Sequence, residues 1–201
     1  MTRLIVWRHG QTVWNQQQRI QGQTDVDLDD VGRQQAAAAA QLLVAKNPDL
    51  IVSSDLRRAQ DTAQALATLT GLPVDTDSRL RERVYGLWEG LTHPEIEARW
   101  PEKFQQWRRG EPVTDVGIES YDDVGKRVSA ALADIAERAQ GGTAVVVTHG
   151  GAARHGVGAF LGWANTVPHT LGPLANCHWI ELRQGRGGAW RMETYNVGPQ
   201  L

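Results

Sequence analysis

The chain has 201 residues, a formal net charge of −2 at pH 7 and a pI of about 6.3, which fits one globular domain with a sizeable core. This charge balance argues against a nucleic-acid-binding protein, which usually carries a basic patch, and the N-terminal apolar run is too short for a signal peptide or membrane span. A single cysteine, Cys177, excludes an intramolecular disulfide. We therefore expect a cytoplasmic protein with neither a nucleic-acid nor a membrane partner.

The first half of the chain predicts two buried strands, each followed by helical sequence. Residues 4–7 and 50–52 are apolar runs too short for ordinary helices. Between them, the glutamine-rich residues 11–23 predict a loop and the alanine run at 36–40 predicts a helix. After the second strand, an apolar stripe at steps of three and four predicts another helix; it contains Leu56, Ala59, Ala63, Leu66 and Leu69.

The N-cap of that helix is expected to be Ser54 or Asp55, because both side chains can accept a hydrogen bond from the first turn. Further along, Thr92-x-x-Glu95 predicts a helix start, and Pro101 begins a second short helix. The aromatic residues of this region share a helical face and are interpreted as core or as a lid hinge; they are Trp100, Phe104 and Trp107. We expect a helical cap inserted around residues 90–118 of a single domain that spans 1–201.

The last third of the chain predicts a long helix and three more strands. The helix opens with Ser120-x-x-Asp123, which has the spacing of a capping box, and ends before Gly141-Gly142. Its apolar stripe contains Val124, Val128, Leu132, Ile135 and Ala139. Residues 144–147 form another buried run, and residues 178–182 and 190–195 predict a hairpin at the sheet edge, joined by a glycine-rich turn at 185–188.

Alternating strands and helices predict an α/β fold, a three-layer sandwich with a mostly parallel central sheet flanked by helices. In such sheets ligands bind beyond the carboxyl ends of the strands. Two of the predicted strands end in a histidine followed by glycine, at His9 and His149. We therefore expect these histidines to meet at one rim, together with Arg8 and with one or both of Arg57 and Arg58.

These residue types indicate a site for phosphoryl transfer to a histidine. Guanidinium groups bind phosphate oxygens through two parallel hydrogen bonds. Their positive charge also lowers the pKa of a nearby histidine, and a neutral imidazole can attack phosphorus. The alternatives are ordinary residues at loop starts, or a metal site built from His9, His149 and Glu82. Clustered arginines oppose a metal ion, so we expect no metal and no cofactor.

An ordered set of motifs over nearly the whole chain resembles the histidine phosphatase superfamily, also called phosphoglycerate mutase-like. The motifs are Arg8-His9-Gly10-Gln11-Thr12-x-Trp14-Asn15, Gln21-Gly22, Ser54-Asp55-Leu56-x-Arg58-Ala59-x-x-Thr62-Ala63, Leu80-x-Glu82-x-x-x-Gly86-x-Trp88-Glu89-Gly90 and Thr148-His149-Gly150-Gly151. The resemblance implies the phosphoglycerate mutase-like fold and a phosphohistidine intermediate.

The resemblance also implies roles for individual residues. His9 is implied to be the nucleophile and Glu82 the general acid that protonates the leaving oxygen. The pocket for the transferring phosphoryl group is implied to contain Arg8, Arg58 and His149, with Arg58 preferred to Arg57 because it directly precedes the motif alanine. Contacts to phosphate or substrate are implied for Asn15, Gln21, Gly22 and the backbone N–H of Gly150. Glu89 is left between a catalytic and a structural role.

The same residues serve a phosphatase or a mutase. Only 66 residues separate Glu82 from His149, whereas cofactor-dependent mutases usually have a longer stretch, and Gly117-Ile118-Glu119-Ser120 is similar to the G-G-E-S of the phosphatase branch. We therefore expect a phosphomonoester hydrolase, with a mutase and a catalytically silent binding module on the same fold as alternatives.

Within the phosphatase branch, the resemblance implies glucosyl-3-phosphoglycerate, or a related sugar or glycerate phosphate, as the substrate. Leaving-group selectivity is expected in residues 11–23, 92–117 and 152–155. Four histidines without a motif are expected to be structural or solvent-facing, namely His93, His155, His169 and His178. A homodimer is a further expectation, because dimers occur among members of the family.

Overall fold

The computed structural model describes residues 1–164 and 166–200. Within them, six strands form one sheet; they are β1 (Arg3–Arg8), β2 (Leu50–Ser53), β3 (Val74–Thr76), β4 (Thr143–Thr148), β5 (Trp179–Gln184) and β6 (Trp190–Val197). Their order across the sheet is β3-β2-β4-β1-β5-β6. The first four in that order are parallel, and β5 runs antiparallel to both β1 and β6. The predicted strands and the edge hairpin are thus confirmed.

Helices cover both faces of the sheet. In the described part of the chain they are α1 (Val13–Gln16), α2 (Asp30–Val44), α3 (Arg57–Thr70), α4 (His93–Arg99), α5 (Pro101–Arg108), α6 (Tyr121–Ala139) and α7 (Gly150–Phe160). None of them has the length and apolar character that crossing a bilayer requires.

Alternate side chains of β1 separate the core into two halves, as strand geometry requires. Leu4 and Val6 pack with α6 and α7 on one face, while Ile5 and Trp7 pack with α2 and α3 on the other. All four side chains are fully buried. The predicted three-layer α/β sandwich is confirmed.

The predicted cap of α3 is wrong. Its N-cap is Leu56, which has no side chain able to cap, and the backbone N–H of Arg57 donates instead to Asp25 Oδ1 at 2.9 Å. Ser54 and Asp55 are engaged elsewhere, with His149 and with Arg81 respectively. A distant carboxylate therefore does what a local cap was expected to do.

The other predicted helix starts are present, including the two predicted from a capping-box spacing. Thr92 and Glu95 form a complete capping box at α4. At α6, Ser120 accepts from the backbone N–H of Asp123, but its hydroxyl donates to the Asp123 carboxylate at 2.7 Å, so the box is only half formed.

A third core joins α4 and α5 to the loop before them. Trp88 lies fully buried at its centre, surrounded by Trp100, Phe104 and Trp107 at ring-centroid distances of 6.5, 6.4 and 6.0 Å. The three predicted aromatics therefore do share one face. The reading of residues 90–118 as a cap inserted in a single domain stays a prediction.

Candidate active site

The parallel register of β1 and β4 places the two motif histidines side by side. Arg8 pairs with Thr148 in this register, so the chain leaves both strands at the same level. His9 and His149 come next, and their ring centroids lie 5.1 Å apart at an interplanar angle of 57°. Both rings are buried. The predicted meeting of the strand-end histidines is observed.

Among the described residues, hydrogen bonds to neighbouring residues engage the Nδ1, the backbone N–H and the carbonyl of His9, but not its Nε2. Its Nδ1–H donates to the carbonyl of Gly10 at 2.7 Å, and this hydrogen bond fixes the tautomer that leaves a lone pair on Nε2. Its backbone N–H donates to Thr148 at 3.0 Å, and its carbonyl accepts from Asn176 Nδ2 at 3.1 Å. The imidazole is therefore oriented with Nε2 available.

Gly10 is required by close packing against α2. A Cβ at this position would lie 2.4 Å from the carbonyl oxygen of Gly32, which is far inside van der Waals contact. The Gly10 N–H donates to Thr62 Oγ1 at 3.0 Å. The glycine of the Arg8-His9-Gly10 motif thus lets the loop that carries His9 lie directly on two helices.

The pKa values of both histidines lie well below the ordinary value. Burial is the largest cause for His9, followed by the charges of Arg58 and Arg8. For His149, burial again comes first, followed by Arg58 and His9. The predicted direction is present, but the arginines that were expected to cause it rank behind desolvation.

The unliganded protein should therefore keep His9 neutral at mildly acid pH. A lowered pKa means that the imidazole gains a proton only when the pH has fallen well below 6.5. An NMR titration of the histidine ring signals should find the His9 signal unchanged through pH 6.5, where an unperturbed histidine is half protonated. Titration of His9 at or above pH 6.5 would contradict the burial described here.

His149 is fixed through Ser54. The distance from His149 Nε2 to Ser54 Oγ is 2.9 Å, whereas Nδ1 is buried without a hydrogen-bond partner among the described residues. A buried, unpaired ring nitrogen costs free energy unless a ligand satisfies it. This atom is accordingly a candidate contact for phosphate.

Arg58 is fully buried beneath the loop that follows α1. Nη1 donates to the carbonyl of Thr24 and Nη2 to that of Gly22, both at 2.8 Å. Its Nε has no partner in the described structure. Burial lowers the pKa of Arg58 to about 10, so it remains a cation at neutral pH.

Arg57 points the other way. Its side chain is 58% exposed and pairs with Asp25 and Asp27 at 3.1 Å each. The sequence alone left Arg57 and Arg58 open, and the structure places Arg58 in the cleft, in agreement with the motif.

Arg8 supplies the second guanidinium of the cleft. Nη1 donates to the carbonyl of Leu174 at 2.5 Å, and burial lowers the pKa of the group while the carboxylate of Glu82 opposes that shift. Gly150, the first residue of α7, packs against this guanidinium, since a Cβ there would lie 3.5 Å from Arg8 Nε.

The carboxylate of Glu82 lies at the N-terminus of α7. Its Oε2 accepts from Gly151 N–H at 3.0 Å, and its Oε1 accepts from Ala152 N–H at 2.8 Å and from Arg83 N–H at 2.8 Å. The N-cap residue His149 has no capping hydrogen bond of its own. Glu82 therefore caps α7 from outside, where the helix dipole favours a negative charge.

Glu89 has structural contacts that account for its carboxylate. Its carboxylate accepts from the backbone N–H groups of Gln23, Thr24 and Tyr85 at 3.0–3.1 Å. It also fills the space beside Gly22, whose φ is +53° and where a Cβ would clash with Glu89 Oε1 at 2.0 Å. Glu89 thus shapes the loop whose carbonyls hold Arg58.

Asn15 and Gln21 complete the predicted set. Asn15 Oδ1 accepts from Asn176 Nδ2 at 3.2 Å and from Thr12 N–H at 3.1 Å. Gln21 is buried, and its Oε1 has no hydrogen-bond partner within the described residues.

One cleft of about 160 Å³ collects most of these side chains. The predicted residues that line it are Arg8, His9, Asn15, Gln21, Gly22, Arg58 and Glu82. His149 and Gly150 are not among the lining residues but adjoin two of them, His9 and Arg8 respectively. The remaining lining residues were not singled out as site residues; they are Arg19, Ile20, Tyr85, His93 and Trp107.

His93 borders the cleft, which the sequence analysis did not predict. It is exposed, as predicted, but its ring packs at 5.2 Å from that of Trp107 and both border the cleft. The sequence held one indication of this position, because His93 lies within residues 92–117, where leaving-group selectivity was expected. Among residues 1–164 and 166–200, no group of three or more His, Cys, Asp or Glu is placed to hold a metal ion.

Comparison with known proteins agrees with this geometry. The family model described as histidine phosphatase superfamily (branch 1) matches residues 4–198. The chain belongs to the histidine phosphatase superfamily. The predicted activity, that of a phosphomonoester hydrolase of this type, is confirmed over a mutase or a silent binding module.

Its relatives include phosphatases of known structure. A glucosyl-3-phosphoglycerate phosphatase of Mycolicibacterium vanbaalenii is 40% identical over 99% of this chain and 96% of the relative. A mycobacterial glucosyl-3-phosphoglycerate phosphatase solved with VO3 superposes with a TM-score of 0.88 at 40% identity, covering 98% of this chain and 99% of that one. A phosphoserine phosphatase of Entamoeba histolytica solved with 3-phosphoglyceric acid gives 0.86 at 32% identity, covering 98% of each chain.

Proposed function

We propose that this histidine phosphatase hydrolyses glucosyl-3-phosphoglycerate or a closely related sugar or glycerate phosphate, with His9 as the nucleophile. The observation that carries the mechanism is the buried His9, whose Nδ1–H donates to Gly10, whose pKa is lowered by burial and by the charges of Arg58 and Arg8, and which lines one cleft with both arginines. The relatives' names and the cleft support the substrate class.

In the first step, His9 Nε2 attacks phosphorus while the bond from phosphorus to the leaving oxygen breaks. Arg8, Arg58 and His149 stabilise the charge on the transferring group, which is the main task in phosphoryl transfer. Asn15, Gln21, Gly22 and the Gly150 N–H hold its oxygens. The electron pair of the broken bond stays on the leaving oxygen, and a proton from Glu82 neutralises it.

In the second step, water attacks the phosphohistidine. The P–N bond breaks, His9 regains its lone pair, and the Glu82 carboxylate takes the proton of the attacking water. Glu82 thus ends the cycle protonated again.

The cleft suits an anionic leaving group. Arg19 lines it, and although its Nη1 pairs with Glu95 Oε2 at 3.0 Å, its guanidinium still has Nη2 to donate to a glycerate carboxylate. Trp107 adds an apolar aromatic surface at the same opening. Phosphate release should therefore be fastest from glucosyl-3-phosphoglycerate in a panel with phosphoserine, sugar phosphates and nucleotides. If unrelated monoesters were hydrolysed well and glucosyl-3-phosphoglycerate were not, the substrate assignment would fall.

Replacing Glu82 with glutamine should slow substrates according to their leaving group. Phenyl phosphate, whose phenolate is a poor leaving group, should lose about 10²–10⁴-fold in kcat, the usual contribution of general acid catalysis. Nitrophenolate needs no proton to leave, so p-nitrophenyl phosphate should lose far less. Steady-state kinetics of both substrates measure this difference, and equal losses would show that Glu82 is not the general acid.

We extend the proposal to catalysis without a metal ion, with Arg8 and Arg58 providing the positive charge. A cytoplasmic location and a homodimer also belong to the proposal. The buried, unpaired Cys177 supports a reducing compartment.

A further inference from the structure

The segment that carries Glu82 has little regular structure of its own. Between the short 3-10 turns at Ser78–Leu80 and Gly86–Trp88, residues 81–85 form neither helix nor strand. Two side chains from outside, Arg127 of α6 and Glu119 of the loop before it, instead hold the backbone of this segment. Neither residue lines the cleft.

Arg127 uses all five of its N–H groups. Nη1 donates to the carbonyls of Arg79 and Arg81 at 2.7 and 2.6 Å. Nη2 donates to the carbonyl of Glu82 at 2.9 Å and to Glu119 Oε2 at 2.8 Å. Nε donates to Glu119 Oε1 at 2.7 Å. The guanidinium is therefore saturated by one carboxylate and three carbonyls of the Glu82 segment.

Glu119 secures the other end of the segment. Its Oε2 also accepts from Val84 N–H at 3.1 Å, and its backbone N–H donates to the carbonyl of Val84 at 3.0 Å. Its own carbonyl accepts from Arg83 Nε at 2.6 Å. Glu82 is thus bracketed on both sides by contacts to one ion pair.

The preceding residues of the Gly117-Ile118-Glu119-Ser120 motif fit this role. Gly117 has a φ of +73°, a conformation that favours glycine. Ile118, which departs from the second glycine of the family pattern, packs its side chain against the third core around Trp88. The loop is thereby anchored while Glu119 turns toward Arg127.

We propose that Arg127 and Glu119 are positioning residues that fix the Glu82 carboxylate at the height of the leaving oxygen. Among the described residues, the Glu82 carboxylate accepts only from the backbone N–H groups of Arg83, Gly151 and Ala152, and Arg127 holds the residue through its main-chain carbonyl. This inference rests on the proposed general-acid role of Glu82.

Arg127→Lys tests the proposal because lysine keeps the charge but has only three N–H donors and no planar fork. We expect kcat for phenyl phosphate to fall about tenfold or more, and kcat for p-nitrophenyl phosphate to change by less than about threefold, a fraction of the full general-acid contribution. Glu119→Gln should produce the same selective loss, and this variant tests the proposal if Arg127→Lys does not fold.

Arg138→Lys is the matched control. It makes the same substitution on the same helix, where Arg138 forms an ion pair with the half-exposed Asp75. Both substrates should keep their rates, and thermal unfolding of all variants should be compared so that a general loss of stability is recognised.

A double mutant separates the proposal from its premise. In a Glu82→Gln background, Arg127→Lys should add no further selective loss, because the group it positions is gone. Equal losses on both substrates, an additive effect in that background, or unchanged kinetics in both positioning variants would overturn the inference while leaving Glu82 as the acid. A Glu82→Gln enzyme without leaving-group dependence would overturn both.

Discussion

His9→Ala is expected to abolish turnover and to remove the phosphoenzyme. The imidazole Nε2 is the atom proposed to bond to phosphorus, and alanine leaves no nucleophile at that position. Rapid-quench mass spectrometry of the unaltered protein should find a mass gain of about 80 Da on His9, the phosphoryl group expected from covalent catalysis. The variant should show neither this adduct nor phosphate release.

The control for this experiment is His178→Ala. The His178 ring Nδ1 lies 3.0 Å from the carbonyl of Asn196 at the sheet edge, outside the cleft. Its turnover and its phosphoenzyme signal should remain. Substantial phosphate release by a folded His9→Ala protein would mean that water attacks the substrate directly, and the covalent mechanism would be abandoned.

Arg58→Ala should have the second-largest effect. A preorganised charged donor in a buried site contributes about 3–4 kcal/mol to transition-state stabilisation, or roughly 10²–10³-fold in rate. The loss should appear in kcat/KM for p-nitrophenyl phosphate as well as phenyl phosphate, because charge on the phosphoryl group develops with every leaving group.

Arg57→Ala provides a matched control one residue away. Arg57 pairs with Asp25 and Asp27 at the surface, and exposed pairs of this kind contribute about 0–1 kcal/mol. Arg58→Ala also leaves the carbonyls of Gly22 and Thr24 without their donors, so its fold must be checked by circular dichroism. Arg58→Lys keeps the charge without the fork and should fall between the two. Comparable losses in the Arg57 and Arg58 variants would contradict the placement of Arg58.

The parts of the fold that were predictable are those set by local pattern. The strands β1, β2 and β4 are continuous apolar runs, and the apolar residues of α6 recur at steps of three and four, which places them on one face of a helix. The edge strand β3 was not predicted, because Val74 is the one apolar residue in its three positions. Its strand conformation comes from pairing with β2.

The parts of the site that were not predictable depend on contacts between distant segments. Asp25 caps α3 from 32 residues away in the chain, and Glu89 holds the loop of Gly22 through Gln23 from 66 residues away. Nothing near these carboxylates in sequence indicates their partners. The meeting of His9 and His149 was predictable because strand direction alone determines it.

The central position of β1 has a consequence for how the protein is made. Residues 3–8 leave the ribosome well before residues 143–148 and 179–184, which form both neighbours of this strand. The nascent polypeptide therefore carries an unpaired apolar segment through most of translation, and such long-range pairing slows folding. A translation product that ends before β4 should therefore lack the His9–His149 pair, because His149 follows the strand that pairs with β1.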